Sequence, residues 1–301
     1  MHARPPLQLL RPHSRAADCT LAAHPAAPRG RELHPAGCGA LEVAVVAGES
    51  VALRCRSTTP LRLLLPRPRG QTVWAVAASH GGGLVAGDEV SIELTVGAGA
   101  QACLTTQAET KVYRSAGAPC RQLTRARIER DGLLALLPEP VSAFAGASLA
   151  QSQRFELAAG ASLVLVDAFT AGRSARGERW AFRALSTRNE IAVDGRLVLA
   201  DALRLAEGEG PPVGARMAGL ELLATVVLLG PRVAAAAAAL LADVAARPAA
   251  PAHVLVATSP LADGVHLRLA AAEVETGLAA LRAHLAFLPA LLGEDPLSRR
   301  P

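Results

Sequence analysis

From residue 41 onward the chain repeats one texture: a short β-favouring run, a small-residue turn containing glycine, and a second β-favouring run. It occurs in VVAGESVALR (45–54), LTVGAGAQACLTT (94–106), IERDGLLALLP (128–138), FELAAGASLVLVDAF (155–169) and IAVDGRLVLADALRL (191–205). Glycine accepts the positive φ that a tight hairpin demands, and Asp194-Gly195 is the strongest hairpin signal of the set. Glu89 to Val96 alternates, with Val90, Ile92, Leu94 and Val96 on one face and Glu89, Ser91, Glu93 and Thr95 on the other, as a half-buried strand does. Leu163 to Val166 is a continuous apolar run of strand length, which fits burial on both faces between stacked layers. No strand–helix–strand alternation precedes residue 206. With proline-marked connections at Pro66-Arg-Pro68 and Pro138-Glu-Pro140, the pattern predicts a mainly β fold of helically wound or stacked antiparallel β-sheets.

Past a Gly/Pro-rich joint at 208–214 the character changes. Residues 220–229 read as a strand, and Pro231, at a first-turn position, opens an Ala-rich helix that runs to about Ala246 and is closed by Pro248. Two short strands follow, at 253–258 and 265–270. A last helix carries Val274, Leu278, Leu281, Leu285, Leu288 and Leu292 as one apolar stripe, with Pro289 kinking or ending it. Such a stripe is core packing first and a partner groove second. The architecture therefore ends in two C-terminal α-helices.

Composition sets the boundaries. At ~150 residues per domain the 301 residues suggest about two domains, yet all-β folds exceed 200 residues in one piece, and 37–301 reads as one unit. Its parts are a β stack at 37–207 and a strand-helix-strand-strand-helix part at 215–301. Residues 1–36 are rich in Pro, His, Arg and Ala without a period and read as a disordered leader or a doubtful start. With 51% hydrophobic residues and only 3% aromatic ones, the core must be made of Leu, Val and Ala. The net charge of +5 is not a basic face, because residues 1–36 carry +3 of it, so nucleic-acid binding is not expected. Cysteines 19, 38, 55, 103 and 120 form no Cys-x-x-Cys pair, and neither a disulfide framework nor a zinc module is indicated. The longest apolar stretch, 218–229, is too short to cross a membrane, and no secretory h-region opens the chain. A cytoplasmic, reduced protein is the expectation.

The densest chemical signal is HGGGLVAGD, His80 to Asp88, followed by LTTQAETKVYRS, Leu104 to Ser115. Three glycines strip side chains from the backbone and permit close approach by a chain segment or a ligand. His-Gly-Gly-Gly also builds the oxyanion hole of lipases and esterases, which makes a serine-type hydrolase the alternative reading, but no Gly-x-Ser-x-Gly elbow accompanies it. A phosphate-binding Gly-x-x-x-x-Gly-Lys-Ser/Thr loop is also missing. Lys111 is the chain's one lysine; it is either a plain surface charge or part of an ion-paired cluster with Glu109 and Arg114. In GRSARGERW, Gly172 to Trp180, Arg173, Arg176 and Arg179 surround Glu178, as a solvated turn or as forks for carboxylates across an interface.

Taken in order, GGGLVAGD, TTQAETKVYRS, LLPEPVSAFAGAS (136–148) and GRSARGE resemble the urease accessory protein D family, called protein H in some organisms. The likeness is densest over residues 75–205. It implies a β-rich, helically wound sheet stack and a nickel-insertion chaperone, not an enzyme. It also implies a scaffold between apo-urease and the accessory proteins F and G, G being the GTPase that carries nickel, with the metal moving through an interior passage. By that resemblance Gly81, Gly82, Gly83, Asp88, Lys111, Tyr113, Arg114, Arg173 and Glu178 are the positions expected to matter. No tightly bound cofactor is implied, only Ni2+ in transit. Nickel accepts imidazole, thiolate and carboxylate, and His80, Cys103, Asp88 and Glu109 are the nearby candidates for a transient contact, against plain structural roles for the cysteine and histidine.

Overall fold

The computed structural model describes residues 36–67, 70–247 and 253–297. The expected leader, apart from residue 36, lies outside them, as do Pro68 and the helix-closing Pro248. Along the chain, β1 (Cys38–Val46) and β2 (Glu49–Ser57) form a hairpin, and β3 (Leu61–Leu64) pairs antiparallel with β4 (Val73–Ser79). Then come β5 (Glu89–Val96), β6 (Gln101–Thr106), β7 (Thr110–Val112), β8 (Cys120–Ile128), β9 (Leu133–Leu137), β10 (Val141–Ala143), β11 (Ser148–Leu157) and β12 (Ser162–Thr170). A second hairpin, β13 (Ala184–Val193) with β14 (Arg196–Ala206), leads through the short α1 (Val213–Arg216) to β15 (Leu222–Leu229). The chain closes with α2 (Ala234–Ala245), the hairpin of β16 (Val254–Leu261) and β17 (Gly264–Ala271), α3 (Val274–His284) and α4 (Leu288–Leu292).

The strands build two stacked sheets. One runs β14-β13-β11-β8-β5-β1-β2; the larger runs β16-β17-β15-β12-β9-β6-β4-β3, with β10 and β7 branching from β12. Between β4 and β12 the long strands step alternately from one sheet to the other, each landing beside its predecessor in that sheet. The result is a flattened coil. Stacked β-rich architecture and C-terminal helices agree with the sequence reading; pairing direction does not. Inside the coil the neighbours β5–β8, β8–β11, β6–β9 and β9–β12 are parallel, and antiparallel pairs flank them.

The cause lies in the five glycine turns. Two are true hairpins, and each carries two consecutive left-handed residues: Ala47 and Gly48 (φ 51° and 86°) and Asp194 and Gly195 (φ 46° and 77°). That pair of conformations folds a strand back on itself. The other three hold a single left-handed residue, Gly99, Asp131 or Gly160, and throw the chain across to the opposite sheet.

Because the larger sheet is covered on both faces, the core has two layers. Leu41, Leu94, Ile128, Phe155, Leu163, Leu165 and Ile191 fill the space between the sheets. Trp74, Cys103, Leu133, Val164, Leu222, Leu267 and Leu285 fill the space between the larger sheet and the helices. β9 and β12 are therefore buried on both faces, as the run at Leu163 to Val166 foretold. At ~1.5–3 kcal/mol for each large aliphatic side chain removed from water, this double burial is the main stabilising contribution in a chain with few aromatics. Leu281, Leu285, Leu288 and Leu292 are buried on that larger sheet, so the apolar stripe is core packing. Pro289 sits in the first turn of α4, where its missing N–H costs nothing, and the helix breaks just before it, at 285–287. Among the described residues no helix is long and apolar enough to cross a membrane.

Candidate functional site

The four motifs meet at one end of the coil, as successive rungs of a backbone ladder. Leu84 forms a parallel bridge with Val112; its N–H donates to the Lys111 carbonyl at 2.8 Å, and Tyr113 N–H donates back to the Leu84 carbonyl at 2.9 Å. β7 in turn pairs with β10, and β10 with the end of β12, from which the 172–180 loop departs. Segments some ninety residues apart thus share one surface.

Gly83 explains why the first motif needs glycine. A Cβ there would lie 2.5 Å from the Lys111 carbonyl oxygen and 2.7 Å from the Tyr113 ring. Gly81 and Gly82 are exposed, with φ of 94° and 72°, and form the open turn above it. Asp88 has a local job: its carboxylate accepts the Val85 N–H at 2.9 Å and closes the turn from 85 to 88. The Cys120 thiol donates to the Val85 carbonyl at 3.0 Å, and burial pushes its pKa up.

Phe144 is the hub. The Tyr113 ring meets it edge-on, centroids 5.5 Å apart at 84°, and the Arg173 guanidinium lies over its face at 4.4 Å. Arg173 grips Glu178 with two hydrogen bonds, Nε to Oε2 at 2.9 Å and Nη2 to Oε1 at 2.5 Å, and Glu178 Oε2 also accepts the Ala145 N–H at 3.2 Å. Hydrogen bonding from Arg173 holds the Glu178 carboxyl below its ordinary pKa. The pair is a staple that ties the 172–180 loop to the loop after β10. Arg114 bridges to Ala147 by its backbone, lays its side chain against Gly146 and is exposed as a residue. Lys111 Nζ is 3.9 Å from Glu109, with both side chains over 40% exposed. A pair so open to water is worth ~0–1 kcal/mol, and the Lys111 backbone matters more here than its charge.

The expected metal set does not assemble. Strand alternation along β6 turns Cys103 to the helix side of the larger sheet, where it is wholly buried, while His80 lies exposed in the turn above Gly81. Among the described residues no three His, Cys, Asp or Glu side chains are grouped so as to hold a metal ion. Behind the motif cluster, between the sheets, lies a 240 Å³ cavity lined by Gly82, Gly83, Ile92, Glu109, Lys111 and Gln122. The buried Gln122 side-chain oxygen has no hydrogen-bond partner among the described residues.

Sequence reasoning assigned nothing to Phe144, although it stands inside one of the four motifs. It also passed over a buried polar belt between the sheets. Asp167 on β12, 3% exposed, accepts hydrogen bonds from Gln151 (2.8 Å), Thr187 (3.1 Å) and Asn189 (3.3 Å). Its signal was the lone charge in the otherwise apolar LVLVDAF.

Residues 36–301 match the family model described as UreD urease accessory protein. The chain is 58% identical to the urease accessory protein UreD of Anaeromyxobacter sp. (strain Fw109-5) over 267 residues, covering 88% of this chain and 90% of the relative. It is 46% identical to the protein of that name from Sorangium cellulosum (strain So ce56), over 90% of this chain and 86% of the relative. With urease accessory protein D of Arabidopsis thaliana it shares 38% identity over 198 residues, 64% of this chain and 67% of the relative.

Proposed function

The chain belongs to the UreD urease accessory protein family, and from that premise we propose that it is a non-catalytic scaffold that holds apo-urease and the accessory proteins F and G together while nickel passes into the urease active site. A part in urease maturation follows from the family; the partners, the metal and the cytoplasmic setting are the proposal. What supports it is the character of the motif cluster. Its marked residues brace one another: Gly83 seats the Lys111 backbone, Asp88 closes a turn, and Arg173 and Glu178 staple two loops over Phe144. Such a constellation makes a rigid surface, which suits docking of preformed partners. In this reading nickel is cargo, handed over by the GTPase.

The hydrolase alternative asks the glycine run for free amides and a nearby activated serine. Instead the nearby Ser79 hydroxyl lies 3.4 Å from the carbonyl oxygens of His80 and Gly83. The test is co-expression of the urease operon with and without this chain, followed by metal analysis of purified urease. Urease protein that is present but nickel-free in its absence, together with recovery of F and G in a pull-down, is the expected result. Urease fully loaded without the chain overturns the reading.

A further inference from the structure

The loop that follows β10 is ringed by arginine. Gly146, left-handed at φ 72°, leaves room on one side for the Arg114 side chain, whose Nε a Cβ there would meet at 3.1 Å. On the other side the Arg183 N–H donates to the Ala147 carbonyl at 2.8 Å, and the 172–180 loop adds Arg173 and Arg176. One carboxylate bonds this loop, Glu178 on the Ala145 N–H, and its charge is taken by Arg173. Four arginines against one glutamate leave a local excess of three, where all of residues 37–301 net only +2.

Arg114, Arg176 and Arg183 are exposed, and among the described residues none of them makes an ion pair. Nearby carboxylates are turned elsewhere: Asp88 caps the Val85 N–H, Glu109 faces Lys111, and Glu207 meets Arg183 through its backbone alone. The outer face of the smaller sheet is also rich in arginine, and there the register balances it. Glu89 stands opposite Arg121, Glu93 opposite Arg125, Glu156 opposite Arg127 and Glu190 opposite Arg154. The loop end has no such rows.

The ground between the three arginines is made of small exposed residues, among them Ala116, Ala175, Gly177 and Ala181, and none of the three lines the 240 Å³ cavity. An enclosed small anion is therefore a poor fit. A nucleic-acid backbone needs a continuing track of cations, whereas the adjoining sheet face alternates in sign. Guanidinium forks match carboxylates two oxygens at a time, and the Arg173–Glu178 staple holds the loop that presents Arg176 in place.

We propose that this loop end is the docking face for an acidic surface of a protein partner, with Arg114, Arg176 and Arg183 each taking a carboxylate from it. As a contact within urease maturation this rests on the scaffold reading above, to which it adds a face and a sign of charge.

The tagged full-length chain is co-expressed with the urease operon, and the captured urease subunits and accessory proteins are quantified by mass spectrometry. Wild type is compared with Arg114→Gln/Arg176→Gln/Arg183→Gln and with Arg125→Gln/Arg127→Gln/Arg154→Gln, which removes the same charge from the balanced sheet face. The loop variant should lose one captured partner by roughly tenfold while the sheet variant keeps it. Raising salt from ~0.1 to ~0.5 M should release that same partner from the wild type. Arg176→Glu alone, in an exposed turn, should also weaken capture and decides the matter if the triple loop variant does not fold. Equal loss from both triple variants, full capture by the loop variants, or nucleic acid as the species released by salt would each overturn the docking face and leave the scaffold reading standing. A wild-type chain that captures none of these proteins overturns the scaffold reading itself, and the docking face with it.

Discussion

At the scale of single residues, Gly83 and Gly82 look alike in sequence and differ in what they face. Gly82 has a left-handed backbone and open space, so Gly82→Ala should cost ~1–2 kcal/mol, the price of that conformation for an L residue. Gly83→Ala drives a methyl into the Lys111 carbonyl and Tyr113 ring, so backbone must shift. Its cost should be ~1–3 kcal/mol and should include loss of the 84–112 bridge. Denaturant midpoints give the stabilities, and the chemical shift of the Val112 amide reports the bridge; a bridge unchanged in Gly83→Ala would contradict the packing argument. The glycines were legible in the sequence because glycine is informative wherever it stands. Phe144 was not, since a phenylalanine in a mainly apolar chain reads as ordinary core, and only the fold puts Tyr113 and Arg173 on its two sides.

Elements show the same limit one level up. Every glycine turn was visible, but whether it makes a hairpin or an arch depends on one further left-handed residue, Ala47 or Asp194, and alanine gives no warning of that role. Parallel pairing was illegible for a related reason: it joins strands separated by a full turn of the coil, and no local pattern encodes a partner so far away. The 172–180 loop is an element whose tether can be cut cleanly. Arg173→Ala removes the Glu178 staple and the cation over Phe144 while leaving the backbone ladder intact. The side chain is about a third exposed, so the stability loss should stay near ~0.5–1.5 kcal/mol. Hydrogen exchange of loop amides, starting with Ala145, should rise at least tenfold, with strand amides unmoved. By contrast Leu285→Ala, in the layer under α3 and α4, should cost ~2–5 kcal/mol in thermal or denaturant unfolding and leave the loop's exchange unaltered. If both variants loosen the same amides, the two ends of the molecule are coupled more tightly than this layering implies.

For the whole molecule, the polar belt between the sheets sets how stability answers to pH, through two groups of opposite sign. Burial raises the Asp167 pKa, despite hydrogen bonds from Gln151, Asn189 and Thr187 that favour its ionised form. The folded state then holds the proton more tightly than the unfolded one, whose aspartate titrates near ~3.9. The stability tied to that proton is fully present below ~3.9 and is lost as pH rises through the folded value. Burial lowers the His266 pKa, so there the folded state holds the proton less tightly, and stability present above ~6.5 is lost as pH falls. Urea unfolding from pH 4 to 8 separates them. Replacing Asp167 with Asn removes the charge that burial opposes, so Asp167→Asn should gain relative to wild type as pH rises and show a steeper loss on acidification. His266→Gln should flatten the fall below pH ~6.5 and leave the Asp167 trend in place. Parallel pH profiles for wild type and Asp167→Asn would mean that the carboxylate already has a counter-charge in the free protein. The belt would then not be the unbalanced charge that the geometry of Gln151, Thr187 and Asn189 describes.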